Sequence, residues 1–497
     1  METLTYLLPL FLVYPIIING LSRIFSRLKL NPILFVGPIL LLILTILSFM
    51  NGEPLRFILL KTAYFNIGLK LDVLSGLIAT TVLTIGIVII RYSVRYLEDD
   101  PKKAAFSKNL SYTLSCVLSM LMAPNLVLLF MSWMGTSYFL HQLLTHFSDR
   151  KGAIKAAQQK FWVSRLGDVF IISSGVILLG TFNSLEFETI FKTINNPLFL
   201  EQNYWPVNVA SILLVLGAMT KSAQFPFHFW LPNTMETPTP VSALMHAGII
   251  NAGGYLIVRM SPFLANTPFV LAILAIIGGF TSFWAFIIML TQTNVKRSLA
   301  YSTISQMGFM MLQCGLGAFS IAVVHIIGHA FYKAYAFLSS GTVADYGRLN
   351  RYYPKPNLAT SLWPPFVLAI LSMSLIFGVA NIFDFDILGR PGISVLLVIL
   401  SLAVAQIILS SKEKSKSIIT SILIITVYLC LSKSMSALLF DITPKQINGR
   451  ETAGAITFFI CTSFFLALYF IQNNLERIST TEFGKKLYVK ALRGANL

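Results

Sequence analysis

Residues 221–226 read Lys221-Ser222-Ala223-Gln224-Phe225-Pro226. Leu231-Pro232, Pro238 and Pro240 follow, and the chain resumes as Val241-Ser242-Ala243-Leu244-Met245-His246. A lysine closes one apolar helix, prolines interrupt the backbone, and a second apolar helix carries a histidine. Proline lacks an N–H and clashes with the preceding turn, so no regular helix runs through this stretch. In hydrocarbon such a break strands N–H and C=O groups, and it survives only where protein or a water-filled cavity satisfies them. An ionisable residue beside the break marks an ion pathway.

The remainder of the chain places that break inside a membrane. Of 497 residues, 56% are hydrophobic and 11% charged, and the mean hydropathy is +0.75. Apolar runs recur from end to end, which excludes a soluble globular chain. The pattern predicts an all-α polytopic helix bundle of about 13–15 spans, a single transmembrane domain over residues 1–497. A net charge of +17 would point to nucleic acid in a soluble protein. Here the basic residues fall in alternate loops (23–29, 91–108, 150–160, 296–297, 348–355, 412–416) and in a basic tail over 473–497, so they set orientation instead. By the positive-inside rule those loops and the tail are cytoplasmic and the N-terminus lies outside, in a cell (inner) membrane. The first apolar segment has no basic region before it and no small-residue cleavage site, and reads as a retained helix.

Two repeats are expected, over 110–259 and 269–439. Each has a span, a polar intramembrane residue and a proline- or glycine-marked interruption, near 221–240 and again near 378–386. Inverted repeats with discontinuous helices are the common plan of secondary transporters.

All six histidines lie between His141 and His329. His325, His329 and Lys333 step by four along one apolar helix and share roughly 80° of arc. A lysine at the bilayer centre costs about 2.5–3.5 kcal/mol, so the stripe faces the bundle interior. Lys221, His246, His325, His329 and Lys333 are therefore the candidate ion pathway. The competing reading is that the lysines anchor helices and the neutral histidines satisfy neighbouring hydroxyls or carbonyls. His146, near Asp149 and Arg150, and His228, between Phe227 and Phe229, read as structural. His325 and His329 have no third ligand at a metal-binding spacing, and Cys116, Cys314, Cys430 and Cys461 stand singly as packing residues, so no metal or cofactor is expected. Lys160, Arg165 and Asp168 fall at the start of the sixth span. Arg165 and Asp168, three apart, read as an interfacial anchoring pair.

Four segments resemble the proton-conducting antiporter-like membrane subunits shared by respiratory complex I and Mrp cation antiporters. They are Lys160-Phe161-Trp162-Val163-Ser164-Arg165-Leu166-Gly167-Asp168, the break at 221–254, the stretch from Leu290 through Lys296-Arg297-Ser298-Leu299-Ala300-Tyr301-Ser302 to Gly308, and 325–337. The resemblance implies that Lys221, His246 and Lys333 belong to a polar axis at the membrane midplane. In that family a glutamate follows the tryptophan of the fifth span and pairs with the broken-helix lysine. Here Trp133 is followed by Met134, and the region Gly378-Val379-Ala380-Asn381-Ile382-Phe383-Asp384 lacks a further lysine. Candidates to tune the pathway in place of the missing acid are Glu236, which shares the irregular segment with Lys221, together with Asp168, Arg165 and the non-acidic His141.

Trp133-Met134-Gly135-Thr136-Ser137, His141-Gln142-Leu143-Leu144, Gln313-Cys314-Gly315-Leu316-Gly317 and Ala336-Phe337-Leu338-Ser339-Ser340-Gly341 are similar to the smaller membrane subunits of DAB inorganic-carbon accumulation complexes. That resemblance implies a subunit that conducts protons or sodium ions and performs no covalent chemistry. It also implies a partner, a larger zinc-binding carbonic-anhydrase-like (DabA-like) subunit that captures carbon dioxide as bicarbonate. Two rivals remain: a subunit of a complex I-like or Mrp-like assembly, and a structural membrane anchor whose polar residues only knit helices together.

Overall fold

The computed structural model describes residues 2–24, 32–341, 363–382, 391–411, 413–440, 442–444 and 451–494. Helices α1 (Leu8–Ile24) and α2 (Val36–Met50) lead into an antiparallel hairpin, β1 (Leu55–Lys61) and β2 (Asn66–Leu71), with Leu55 opposite Leu71. The hairpin is an addition to the expected all-helical chain. Next come α3 (Val73–Tyr96), α4 (Lys103–Leu121), α5 (Leu126–Leu144), α6 (Lys151–Phe182), the short α7 (Phe187–Ile194) and α8 (Tyr204–Lys221). Beyond the break lie α9 (Thr239–Ala247) and α10 (Ala252–Arg259), then α11 (Pro268–Leu290), α12 (Val295–Gly315) and α13 (Phe319–Leu338). The last helices are α14 (Trp363–Ile382), α15 (Pro391–Ser410), α16 (Lys414–Leu438), α17 (Glu451–Asn473) and α18 (Glu482–Gly494).

Among the described residues, eight helices are long and apolar enough to cross a membrane and three shorter apolar helices accompany them. Others of comparable length, such as α4 and α12, carry more serine, threonine and charge, as a helix surrounded by protein can. Asp72 caps α3 through the Ser75 N–H at 2.9 Å, and Ser75 Oγ accepts the Asp72 N–H in return. Asn125 and Asn294 cap α5 and α12 in the same way. These side chains supply acceptors for backbone donors that the first helical turn leaves free.

Helices α11 and α12 approach closely because small residues line their seam. A Cβ on Gly308 would stand 2.5 Å from the Ser282 backbone nitrogen, and one on Gly278 2.6 Å from the Gly308 carbonyl oxygen. Membrane helices gain no hydrophobic drive toward one another, so backbone proximity of this kind supplies much of the packing. A buried ion pair ties the hairpin end to α10: Arg259 donates to Asp72 Oδ2 at 2.5 Å and Oδ1 at 3.0 Å, and to the Tyr255 hydroxyl.

The interruption expected near 378–386 differs from the structure where it is described. Gly378 lies inside the continuous α14, and residues 383–390 lie outside the described residues, as do the basic positions Arg27, Lys29, Arg348, Arg351, Lys355 and Lys412.

Candidate ion pathway

Helix α8 ends at Lys221, and protein atoms satisfy the break that follows. The Gln224 N–H donates to the Met219 carbonyl at 3.0 Å, the Phe225 N–H to Thr281 Oγ1 at 3.1 Å, and the Trp230 indole N–H to the Thr220 carbonyl at 3.3 Å. Two 3-10 turns, Phe227–Trp230 and Thr234–Glu236, carry the chain to α9. A second interruption was not legible in the sequence. The 3-10 turn Ile249–Asn251 separates α9 from α10 three residues after His246, and Ser222 Oγ donates to the Ile250 carbonyl at 2.7 Å. Each break is thus partly satisfied by the other, the protein-lined solution that irregular backbone requires at membrane depth.

Lys221 is buried. Its Nζ donates to Ser137 Oγ at 2.9 Å and to the Trp133 carbonyl at 3.4 Å, and lies 4.5 Å from the Trp133 ring centroid. Lys333, fully enclosed on α13, repeats the arrangement: its Nζ donates to Ser302 Oγ at 2.9 Å and to the Leu299 carbonyl at 3.2 Å on α12. In each case a lysine reaches across to a serine hydroxyl and to a carbonyl about one turn earlier on a neighbouring helix.

His246 is fully buried. Its Nδ1 lies 3.1 Å from Thr303 Oγ1, its ring stacks on Phe337 at 4.2 Å, and its Nε2 has no partner among the described residues. His329 is buried 6.0 Å from the His325 ring, with neither ring nitrogen partnered among the described residues. It feels the charges of Lys333, His325 and His246. Leaving a buried polar atom unpaired is costly, so these nitrogens are suited to hold water. The stripe on α13 faces the interior, where the four-residue spacing put it.

Helix α6 begins at Lys151 and runs to Phe182, so Lys160, Arg165 and Asp168 lie beyond its first turns. Lys160 is 3% exposed, and its Nζ donates to the Ser137 carbonyl at 2.8 Å. Asp168, 4% exposed, receives Arg165 Nη2 at 2.6 Å, faces the Trp133 indole, and is the carboxylate whose charge acts on Lys221. The acid absent at Met134 thus has a counterpart on the next helix. His141, half-buried one turn beyond Ser137, packs against Phe161 and feels the charge of Lys160.

Glu236 lies elsewhere. It is exposed, its carboxylate rests against Gly152 near the start of α6, and its carbonyl accepts from Arg150 at 3.4 Å. The N-terminus of a helix attracts an anion, which accounts for that placement. His146 pairs with Asp100 at 3.0 Å, not with its sequence neighbours, and His228 stacks on Phe225. Burial pushes the Asp100 carboxyl up, but the His146 hydrogen bond, the Lys102 N–H and both positive charges outweigh it and hold the group below the usual carboxylate range.

The site residues therefore form two groups. One is Lys221, Lys160, Asp168 and Arg165 with His141; the other is Lys333, His246, His329 and His325. Helix α10 contacts α8, α12 and α13, and α9 packs on α13 and α3. Among the described residues, no group of three histidine, cysteine or acidic side chains is placed to hold a metal ion.

Broken helices, buried lysines on hydroxyls and a buried histidine cluster in a multi-pass bundle define an antiporter-like membrane subunit. The family described as NADH:quinone oxidoreductase/Mrp antiporter, TM, matches residues 123–375, half of the chain, and the complex I chain 5 N-terminus family matches residues 57–107. The chain belongs to the NADH:quinone oxidoreductase/Mrp antiporter membrane family. It is 38% identical over 347 residues to a probable inorganic carbon transporter subunit, DabB2, of Halothiobacillus neapolitanus, covering 69% of this chain and 62% of that protein. It is 37% identical over 281 residues to the chloroplastic NAD(P)H-quinone oxidoreductase subunit 5 of Physcomitrium patens, covering 56% of this chain and 39% of that one. The match accounts for less than two thirds of the length of either relative. Among solved structures, the Mrp complex from Dietzia sp. DQ12-45-1b has a chain that aligns with a TM-score of 0.60 at 19% identity, over 98% of this chain and 59% of that one. At that identity the likeness concerns the fold.

Proposed function

We propose that this chain is the cation-conducting membrane subunit of an energy-coupled inorganic-carbon transporter. Protons, or sodium ions, pass down their electrochemical gradient through the Lys221 and Lys333 groups. The observation that carries the reading is the repeated arrangement of buried lysine on serine hydroxyl, once from α8 and once from α13, two helices that both contact α10. A lysine held in a low-dielectric interior by one hydroxyl and one carbonyl can be loaded and unloaded as its surroundings change, because desolvation opposes its charge and a nearby carboxylate supports it. Asp168 supplies that carboxylate to Lys221, Arg165 competes for it, and His141 tunes the approach from the inner end of α5. His246, His325 and His329 offer imidazole nitrogens beside Lys333 in the second group. Glu236, exposed at the start of α6, is left with a helix-capping part.

The chain performs no covalent chemistry on this reading. Carbon dioxide hydration belongs to a larger, zinc-binding, carbonic-anhydrase-like partner subunit; that the Halothiobacillus relative is described as a subunit of an inorganic carbon transporter supports the existence of a partner. Each charge crossing 100 mV releases about 2.3 kcal/mol, enough to bias a vectorial hydration cycle. The basic loops and the tail with α18 face the cytoplasm of a cell (inner) membrane, and the N-terminus lies outside. The similarity to quinone oxidoreductase subunits supports a second reading, a proton-translocating subunit of a complex I-like or Mrp-like assembly.

Co-purification from native membranes, followed by bicarbonate uptake and ion flux in vesicles, tests the proposal. A zinc-containing partner and gradient-driven bicarbonate accumulation are expected. Redox subunits or further antiporter subunits in its place would favour the second reading, and a complex that assembles without any ion flux would leave only a structural role.

A further inference from the structure

Ser137 holds two lysines. Its hydroxyl accepts from Lys221 at 2.9 Å, and its carbonyl accepts from Lys160 at 2.8 Å. Lys221 comes from the end of α8, Lys160 from the middle of α6, and both are enclosed: 5% and 3% exposed. The groups that face Lys221 are Asp168 and Arg165 from α6 and Cys116 from α4. Those that face Lys160 are Lys221, Arg165 and Asp168, with His141 of α5 close by. If both lysines were charged, two buried cations and the part-exposed Arg165 would share one carboxylate, which Arg165 already engages at 2.6 Å. A like charge at this range disfavours ionisation, and strongly interacting sites titrate as a pair.

We infer that Lys160 and Lys221 share a single transportable proton across Ser137, so that Lys160 is a further relay residue and Ser137 the bridge. This rests on the proposed ion-conducting role and names the second member of its first group. In the transfer, an N–H bond of the Lys221 ammonium breaks and its proton passes to Ser137 Oγ. The Lys160 amine, which rests on the Ser137 carbonyl, swings to Oγ, and the proton that the hydroxyl already held passes to the lone pair of neutral Lys160. Lys221 ends neutral, Lys160 ends charged, and the serine is unchanged. The helix-bound carbonyl of Ser137 then holds the new ammonium. Asp168 biases the proton toward Lys221, and any movement of Asp168 away from Lys221 releases it toward Lys160 and His141. The arrangement on α13 has no such second lysine among the described residues, so the two groups differ in kind: one exchanges a proton between two amines, the other between an amine and imidazoles.

The test is a proton inventory on the purified full-length chain in lipid nanodiscs, read by NMR of 15Nζ-labelled lysine, with Lys160→Met and Lys221→Met assigning the two signals. The expected wild-type result is one proton for the two amines at neutral pH, while exposed lysines are fully protonated. Two hydrogen bonds to one residue set the amines roughly 6–9 Å apart. At that range a second charge is disfavoured by about one to two pH units, which keeps the pair at one proton. In Lys160→Met the proton can no longer be divided, so Lys221 should hold a whole proton at neutral pH; two protons on the wild-type pair, or an unchanged Lys221 protonation in Lys160→Met, overturns the inference. Should Lys160→Met fail to fold, Ser137→Ala retains both lysines. It should keep one proton but split an exchange-averaged signal in two, and an averaged signal that persists counts against the bridge. Because the inventory is read without transport, absence of ion flux in the wild-type complex would remove the proposed function and leave this result standing.

Discussion

Replacing Lys221 with methionine should abolish ion flux and leave the fold almost as stable as before. The magnitudes come from its surroundings. The ammonium makes one good hydrogen bond, to Ser137 Oγ at 2.9 Å, and hydrogen bonds to charged groups are worth about 1.5–3 kcal/mol. Its position 4.5 Å from the Trp133 ring centroid adds about 2 kcal/mol when desolvated. Against that stands the penalty for holding an ammonium in the interior, several kcal/mol even after relaxation. Methionine removes all three terms and fills the same volume, and the Ser137 hydroxyl can turn to its own preceding helical turn, as Thr136 does toward the Ser132 carbonyl at 2.9 Å. The net change is about zero, within about 2 kcal/mol either way. Lys221→Arg keeps a charge that cannot be released, so its flux should also be lost. The assay is gradient-driven ion flux in proteoliposomes alongside thermal unfolding of the same preparations. Full flux in either variant, or a methionine variant too unstable to purify, would refute the argument that this lysine is there to titrate.

Glutamine at His325 or His329 should slow flux and flatten its pH dependence with expression intact, because glutamine reproduces hydrogen bonding but not titration; an unaltered profile in both variants would favour packing. Asp168→Asn should cut flux at least tenfold while Glu236→Gln leaves it unchanged, since only the first acid acts on Lys221; equal effects would contradict that assignment. Glu188 bridges Arg56 and Lys70, each at 2.8 Å. Burial raises its carboxyl, but the Lys70 hydrogen bond and the charges of Lys70, Arg56 and Lys192 outweigh it and hold the group below its usual value. Such a group stabilises the fold above the ordinary carboxylate range and loses that contribution as pH falls through its folded value. Glu188→Gln should therefore lower Tm at pH 7 by about one or two degrees, and the gap from wild type should close as the pH is lowered below about 4.

The bundle and its main break were legible because they rest on covalent constraints. Pro226, Pro232, Pro238 and Pro240 interrupt helices wherever they fall, and runs such as 73–90 have no alternative to hydrocarbon. The stripe on α13 was legible for the same reason, since residues four apart on a helix must share a face. The hairpin over 55–71 was hidden because Leu55–Lys61 alternates poorly, with Ile58, Leu59 and Leu60 adjacent, and an apolar run of that length is equally consistent with a helix. The enclosure of Lys160 was not legible because its neighbours Lys151 and Lys155 made the segment look solvent-facing. Nothing local shows that α6 begins at Lys151 and carries Lys160 more than two turns inward. Ser137 gave no signal at all, because a serine becomes a proton bridge only when two helices deliver lysines to it.

The relocation of the acid carries a mechanistic consequence. A carboxylate at position 134 would share α5 with Trp133 and Ser137, the residues that hold Lys221, so acid and lysine contacts would move together. Asp168 sits instead on α6, the helix that also carries Arg165 and Lys160. A small shift of α6 against α5 therefore changes two things at once: how strongly the acid supports Lys221, and whether Lys160 reaches the Ser137 carbonyl. Gly167 lies against Thr220 and Gly217 against Ile171, so α6 and α8 meet through glycines just where Asp168 and Lys221 face each other. Small residues at a helix contact let backbones approach closely and slide at little steric cost. Helix α6 is thus the element whose position sets the charge balance of the Lys221 group, and its glycine seam with α8 lets that position change at little steric cost.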